Sequence, residues 1–472
     1  MKKIFLFLVT GAFLLNTGCV ELDLSPSTAL PTNEAITSTE DLQMAVYGVF
    51  EMMSLDRGGH ASDFGLYADV KGGDTFPYGD NGHIVVLTKY EMTQNITLAS
   101  QMYFALYEPI AFANLAMSGA ENLPGYGSDP EITDLYGQLI AARALLHFDA
   151  ARAYSQIPTV AGVDMNKANS GVVIVDQVYP MSTKFSRSTL AETYKFVTDE
   201  LERAIPMLST KKNLGGINAW AAKLILARAY LYMGQYDKAY SYAADVANNS
   251  GYKLFTPDNY VSAWKMEGAD EFIFEILTSD NTANSPQRNS LGYYTNPNGY
   301  GEVGAHTDLI AAVNALDAND IRKESISERD DQGARKGYYT IKYMGREGTS
   351  VYSSNPKIAR LAEAYLIAAE AALKGGSTAD NALKFYNDLR KSRYAAGTYT
   401  AATSVTLDDI LAERRVELFC ENHRLFDLVR NNLSVTKYDG TATYAANDNL
   451  ILNPLPLREI DVNPDLVQNP GY

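Results

Sequence analysis

Ala219-Trp-Ala-Ala-Lys-Leu-Ile-Leu-Ala-Arg-Ala-Tyr-Leu-Tyr-Met-Gly-Gln-Tyr-Asp-Lys-Ala239 is the stretch whose reading decides the fold. Leu226, Ala227, Tyr230, Gly234, Tyr236 and Ala239 stand at the spacing of a tetratricopeptide repeat, a helix, a tight turn and a second helix. Residue size gives the reason. Ala227 and Ala239 let two helix backbones approach, Gly234 permits the short connection, and the tyrosine rings fill the space between neighbouring pairs. Residues 366–385 repeat the pattern more loosely, with Ala368, Ala369, Gly375, Gly376 and Ala382 and an extra residue in the turn; 136–154 offers a third copy. Repeat pairs are therefore expected around 131–154, 219–248 and 357–393.

Beyond these, apolar residues at three- and four-residue steps predict helices over 39–53, 98–117, 131–154, 189–208, 219–233, 236–248, 357–373, 381–393 and 407–431. Thr189-Leu-Ala-Glu192 and Thr406-Leu-Asp-Asp409 are start signals, each pairing a hydroxyl that satisfies free amides with an acid at the positive helix end. Short strands are expected at 272–277 and 339–343, and a further one at 84–87. The fold class is mostly α: a tetratricopeptide-like helical repeat scaffold with a few short strands and long elaborated loops. The loops at 56–91, 157–187, 278–306, 332–356 and 394–405 are rich in Gly, Asn, Asp, Ser and Tyr and read as lying outside the core. Loops of this length in compact bodies tend to carry function, and a rigid scaffold places their binding residues.

The 472 residues are 46% apolar and 20% charged, enough for a large core, which excludes a disordered or collagen-like chain. Forty Lys and Arg against 56 Asp and Glu leave a net charge of −16, which repels a phosphate backbone, so no nucleic-acid partner is expected. Two cysteines and five scattered histidines make neither a disulfide framework nor a zinc cage, and no metal or cofactor is expected. Asp74, Asp80 and Asn81 could ligate calcium, but without the EF-hand order they read as a solvated turn. Cys420, among Val416, Phe419, Leu425 and Phe426 on the apolar side of a helical pattern, reads as a buried core thiol.

The chain opens with Lys2, Lys3 and an apolar run over 4–15, which ends in Asn16-Thr17-Gly18-Cys19. This is the plan of a secretory signal peptide, and the run is short of the roughly 20 residues that span a bilayer. Small residues just before a cysteine match a bacterial lipoprotein cleavage site, so 1–18 is expected to be removed and Cys19 acylated. Residues 19–33 then form a lipid-anchored tether, since buried acyl chains hold a protein to a membrane. No Pro/Ser-rich hinge divides the remainder, so 34–472 reads as one body.

No constellation of catalysis stands out. Gly299-Tyr-Gly301-Glu-Val-Gly304 fits a dinucleotide pattern, but the polar, Pro-containing residues 293–298 replace the buried strand such a site needs. Paired carboxylates of a glycosidase are not visible in sequence spacing. The reading is of a protein that is not an enzyme. What remains is non-covalent sugar binding, in which C–H faces pack on aromatic rings and hydroxyls meet Asn, Asp, Gln or Arg. Two loops combine these groups: Phe76, Tyr78, Asp80, Asn81 and Tyr90 around 56–91, and Tyr293, Tyr294, Asn296, Asn298 and Tyr300 around 278–306. Trp220 and Trp264 read as structural.

Three stretches together resemble the SusD/RagB family of outer-membrane lipoproteins. They are Arg360-Leu-Ala-Glu-Ala-Tyr-Leu-Ile-Ala-Ala-Glu-Ala-Ala-Leu373, Ile410-Leu-Ala-Glu-Arg-Arg-Val-Glu-Leu-Phe-Cys-Glu-Asn-His-Arg-Leu-Phe-Asp-Leu-Val-Arg430 and Asn453-Pro-Leu-Pro-Leu-Arg-Glu-Ile-Asp-Val-Asn-Pro-Asp-Leu-Val-Gln-Asn-Pro-Gly-Tyr472. With the lipoprotein-type start, Asp23-Leu24-x-Pro26 and Asp320-Ile-Arg322, the resemblance covers essentially the whole chain after its leader. It implies a lipid-anchored protein at the cell surface that caps a SusC-type TonB-dependent transporter and captures a glycan. An oligopeptide ligand is the alternative within the family, and a transporter-associated scaffold with no ligand of its own is the alternative of a different functional class. In residue terms, the acids and arginines of 413–430 are expected to alternate on an exposed helix face, where each pair is worth about 0–1 kcal/mol. The proline-rich 450–472 is expected to lie as an extended strap.

Overall fold

The computed structural model describes residues 35–54, 57–78, 82–278, 289–329, 336–350 and 353–472. The leader, Cys19 and the tether lie outside the described residues. The scaffold is a succession of helices: α1 (Thr39–Met53), α2 (Thr97–Ala120), α3 (Pro130–Tyr154), α4 (Leu190–Ala204), α5 (Ala219–Tyr232), α6 (Tyr236–Asn249), α7 (Leu361–Ala371) and α8 (Ala379–Ser392). Each packs against the next; residues 131–154, expected as a repeat pair, are instead the single unbroken helix α3, which packs between α2 and α4. Within α5 both faces are buried, whereas α6 buries only Ala239, Ala243 and Val246 on one stripe. Gly234 joins them at φ +70°, a left-handed value that any side chain would strain, and the Gln235 amide closes on the Tyr230 carbonyl at 3.0 Å. Thr189 with Glu192 and Thr406 with Asp409 form capping boxes, as their spacing foretells.

The predicted helices depart from the structure where charge is buried. Residues 357–360 form strand β6 (Lys357–Arg360) rather than a helix start, because they pair with β2 (Phe272–Glu275), Phe272 opposite Arg360. The helix expected over 407–431 is two, α9 (Leu407–Glu417) and α10 (Arg424–Arg430). Between them Cys420 (φ +61°) and Asn422 (φ +63°) are left-handed. The Asp69 carboxylate explains the break: it accepts the Cys420 and Asn422 amides at 3.0 and 2.7 Å. Cys420 is a free, fully buried thiol, in this turn rather than in a helix. At 84–87 a short helix, Val85–Thr88, replaces the expected strand. Ile84, Val85 and Leu87 are all buried, and a short apolar run does not distinguish the two states. The strap is irregular but includes a turn of helix, Leu457–Val462, set between Pro456 and Asn463.

The acids and arginines of 413–430 are buried, not an exposed helix face. Arg360, 1% exposed, donates to Glu417 Oε1 at 2.7 Å, to both Glu421 oxygens at 2.8 Å and to Glu271. Arg393 bridges the same Glu271 and Glu417 at 3.0 and 2.8 Å, and Arg322 joins Asp320 (2.7 Å), Glu417 and Glu413. A second cluster links Glu370, Arg430, Asp427 and Arg414. These clusters tie β2, β6, α7, α9 and α10 into one block, with each charge paired to at least one of opposite sign inside low-dielectric surroundings. Burial by itself would raise the Glu370 and Glu417 carboxyls. The Arg430 guanidinium nonetheless holds Glu370 down at about 2, and Arg393 and Arg360 hold Glu417 well below the usual range.

A carboxyl whose folded value lies below its unfolded value contributes stability that is complete above the unfolded value and lost as pH falls through the folded one. Glu370 falls from 4.5 to about 2, so the window lies between these values. Urea midpoints are expected to be lower at pH 3 than at pH 6, and Glu370→Gln, which removes the titrating group, should flatten that slope. A slope unchanged by this substitution would contradict the assignment.

Candidate functional site: an aromatic face at a strand pair

The two aromatic loops meet through strand pairing. β1 (Thr75–Pro77) runs antiparallel to β3 (Val303–Ala305), with Phe76 opposite Gly304. Beside them, β4 (Ile326–Arg329) pairs with β5 (Gly337–Thr340). The Tyr78 ring lies against glycines of both β3 and β5: a Cβ on Gly304 would stand 1.9 Å from it, and one on Gly337 2.2 Å. Glycine at these positions is what lets an aromatic ring sit against the strand backbones.

Two ring clusters result. In the first, Phe76 meets Tyr78 edge-on (centroids 5.2 Å) and Tyr438 (5.7 Å), while Tyr78 packs on Tyr339 (5.3 Å) and its hydroxyl accepts the Tyr338 amide at 3.1 Å. Phe76 is 39% and Tyr338 36% exposed. In the second, Tyr300 stacks on His83 at 4.4 Å and meets Tyr293 in a T-shaped contact at 4.4 Å. Glu302 fixes the His83 position, accepting its backbone amide at 2.8 Å and lying 3.2 Å from Nδ1. Glu302 immediately precedes β3, so the second cluster is built onto the same strand as the first.

The residues singled out in the sequence divide into three groups. Phe76 and Tyr78 fall in the first cluster and Tyr293 and Tyr300 in the second, and Asn298 is exposed beside Gly299 and Tyr300. Tyr294 and Asn296 belong to the same segment but point inward structurally. Tyr294 is fully buried and donates to Asp63 at 3.2 Å; burial and the Asp63 charge push its hydroxyl above the usual phenol range. Asn296 is 6% exposed and its side-chain oxygen caps the Asn298 amide at 3.0 Å. Tyr90 stands apart, stacked on Tyr444 at 4.4 Å with its hydroxyl on the Lys71 carbonyl. Asp80 and Asn81 lie outside the described residues. Much of 57–78 is core rather than loop, with Phe64, Leu66 and Tyr67 fully buried. Asp74 is no calcium ligand in waiting, because Arg415 (2.6 Å) and Arg424 (3.1 Å) hold its carboxylate. His83, Glu302, Tyr338, Tyr339 and Tyr438 were not legible as site residues; the doubled tyrosine at 338–339, echoing 293–294, was the available signal.

A helical-repeat body that presents stacked and open aromatic rings has the form of a binding protein. Comparison with known proteins agrees. The family model described as "SusD family" matches residues 290–472, and one described as "Starch-binding associating with outer membrane" matches 22–231. A SusD superfamily protein of Bacteroides thetaiotaomicron superposes with a TM-score of 0.84 at 26% identity, covering 92% of this chain and all of that one. A putative sugar binding protein of Bacteroides vulgatus gives 0.84 at 28%, covering 93% and 99%. Among sequence relatives, SusD-like protein P2 of Formosa agariphila is 25% identical over the full length of both chains. A SusD-like protein of Bacteroides ovatus is 24% identical across 70% of this chain, which spans 65% of that relative's length. The chain belongs to the SusD/RagB family. Among the described residues no helix is long and apolar enough to cross a membrane.

Proposed function

We propose that the face built on β1, β3 and β5 binds a glycan non-covalently, without cleaving it, and that the body spanning 34–472 delivers it to a SusC-type TonB-dependent transporter in the outer membrane. The observation that carries this reading is the exposure of Phe76, whose ring meets Tyr78, and of Tyr338, whose amide the Tyr78 hydroxyl accepts, with Tyr78 seated against Gly304 and Gly337. Rings held in place this way offer a pyranose its stacking surface with little loss of side-chain freedom on binding. The family descriptions and the sugar-binding designation of the Bacteroides vulgatus neighbour support the ligand class. Migration through native gels containing starch, laminarin or other polysaccharides tests it: retardation by at least one of them is expected, and free migration through a broad panel would contradict it.

Anchoring rests on Cys19. When cells are fed a labelled fatty acid, the chain is expected to take up the label and sediment with outer membranes, and Cys19→Ala is expected to abolish both. Label retained by Cys19→Ala would overturn the anchor.

A further inference from the structure

The two ring clusters are joined through one tyrosine. The Tyr339 ring packs on Tyr78 at 5.3 Å, and its hydroxyl donates to the Gly301 carbonyl at 3.2 Å, next to Tyr300. The Tyr293 carbonyl accepts the Tyr300 amide at 2.8 Å and the Gly301 amide at 3.3 Å, so the backbone fixes where the Tyr300 ring starts. A line of contacts thus runs from Phe76 through Tyr78, Tyr339 and the 300–301 backbone to His83, which stacks on Tyr300.

His83 is held at its ring face, its backbone and one of its two nitrogens. Glu302 accepts the backbone amide through Oε2 at 2.8 Å, and Oε1 lies 3.2 Å from Nδ1. The carboxylate comes this near because residue 82 is glycine: a Cβ there would stand 2.5 Å from Glu302 Oε2. A carboxylate only accepts, so Nδ1 carries a proton, and in the uncharged ring Nε2 is left as a bare acceptor. Nε2 has no partner among the described residues, and the side chain is 33% exposed, whereas that of Glu302 is 9% exposed with both oxygens engaged by residue 83. An acceptor fixed in this way beside stacked rings loses little side-chain freedom when a ligand hydroxyl reaches it.

We propose that His83 is a ligand contact of the aromatic face, its Nε2 accepting a sugar hydroxyl next to the stacking rings, with Glu302 as the positioning residue that orients the imidazole. The assignment rests on the glycan-binding reading above and adds to it a hydrogen bond that selects for a free hydroxyl at one place on the sugar.

Affinity electrophoresis of the full chain at graded concentrations of each polysaccharide that retards the wild type, starch and laminarin first, tests the proposal, with thermal midpoints recorded alongside. His83→Phe keeps a ring against Tyr300 and removes both nitrogens; its midpoint should stay within a few degrees while affinity falls at least fivefold. His83→Gln returns a hydrogen-bonding amide and should bind at least twofold tighter than His83→Phe. Glu302→Gln should weaken the wild type at least threefold and cause no further loss on top of His83→Phe, because it acts through the imidazole; a merely structural role would lower both backgrounds alike. Undiminished affinity in His83→Phe or Glu302→Gln, a His83→Gln no tighter than His83→Phe, or additive losses in the double variant would overturn the assignment and leave the glycan reading standing. A wild type that no polysaccharide retards would overturn both.

Discussion

Replacing Arg360 by Met is expected to lower stability by about 3–5 kcal/mol, the cost of removing one partner from a buried, hydrogen-bonded ion cluster. The side chain is 1% exposed and is shared by Glu271, Glu417 and Glu421, each almost fully buried. Met fills much of the volume, so the loss comes from carboxylates left facing one another with Arg393, Arg322 and Lys342 as their remaining cations. Domains are stable by only about 5–15 kcal/mol in total, so this one change consumes a large fraction of the margin. The control is Lys195→Met, which breaks the exposed i,i+4 pair with Asp199 and should cost less than about 0.5 kcal/mol. Urea midpoints of the two variants decide the matter. Equal shifts would show that the cluster does not bind the block together.

The same cluster explains what the sequence could and could not reveal. Helix positions were legible because α1, α3, α5 and α6 carry a clear period and cap or turn residues at their ends, down to Gly234 between α5 and α6. The strand at Lys357–Arg360 and the break at 418–423 were not, because each answers to residues far away in sequence: β2 in one case and the Asp69 carboxylate in the other. Local periodicity has no access to such partners. The site divides in the same way. Two aromatic loops were visible as composition, but their meeting depends on the β1–β3 ladder, and the share of each ring left open depends on packing. So Tyr294, which looks like its neighbour Tyr293, turns out to be a buried tie to Asp63, while Tyr338 supplies an open ring.

The second large effect is expected at that open pair. Phe76→Ala and Tyr338→Ala each remove a ring with a free edge or face and leave Tyr78 seated on its glycines. Loss of an aromatic anchor from a binding surface costs about 1–2 kcal/mol, or about tenfold in affinity, and the double substitution about a hundredfold where the two rings contact the ligand independently. Folding should be little affected, because neither ring belongs to the core. Tyr294→Ala is the contrasting case: it opens a cavity in the core and loses the Asp63 bond, so it should reduce stability as well as binding.

The most direct measurement is therefore the retardation of the wild-type chain and of Phe76→Ala/Tyr338→Ala in native gels cast with the polysaccharide that the wild type binds, with thermal midpoints recorded alongside. The account predicts that retardation disappears in the double variant while its midpoint stays within a few degrees of wild type. Undiminished retardation in a folded double variant would contradict it, and would place glycan binding elsewhere on the molecule.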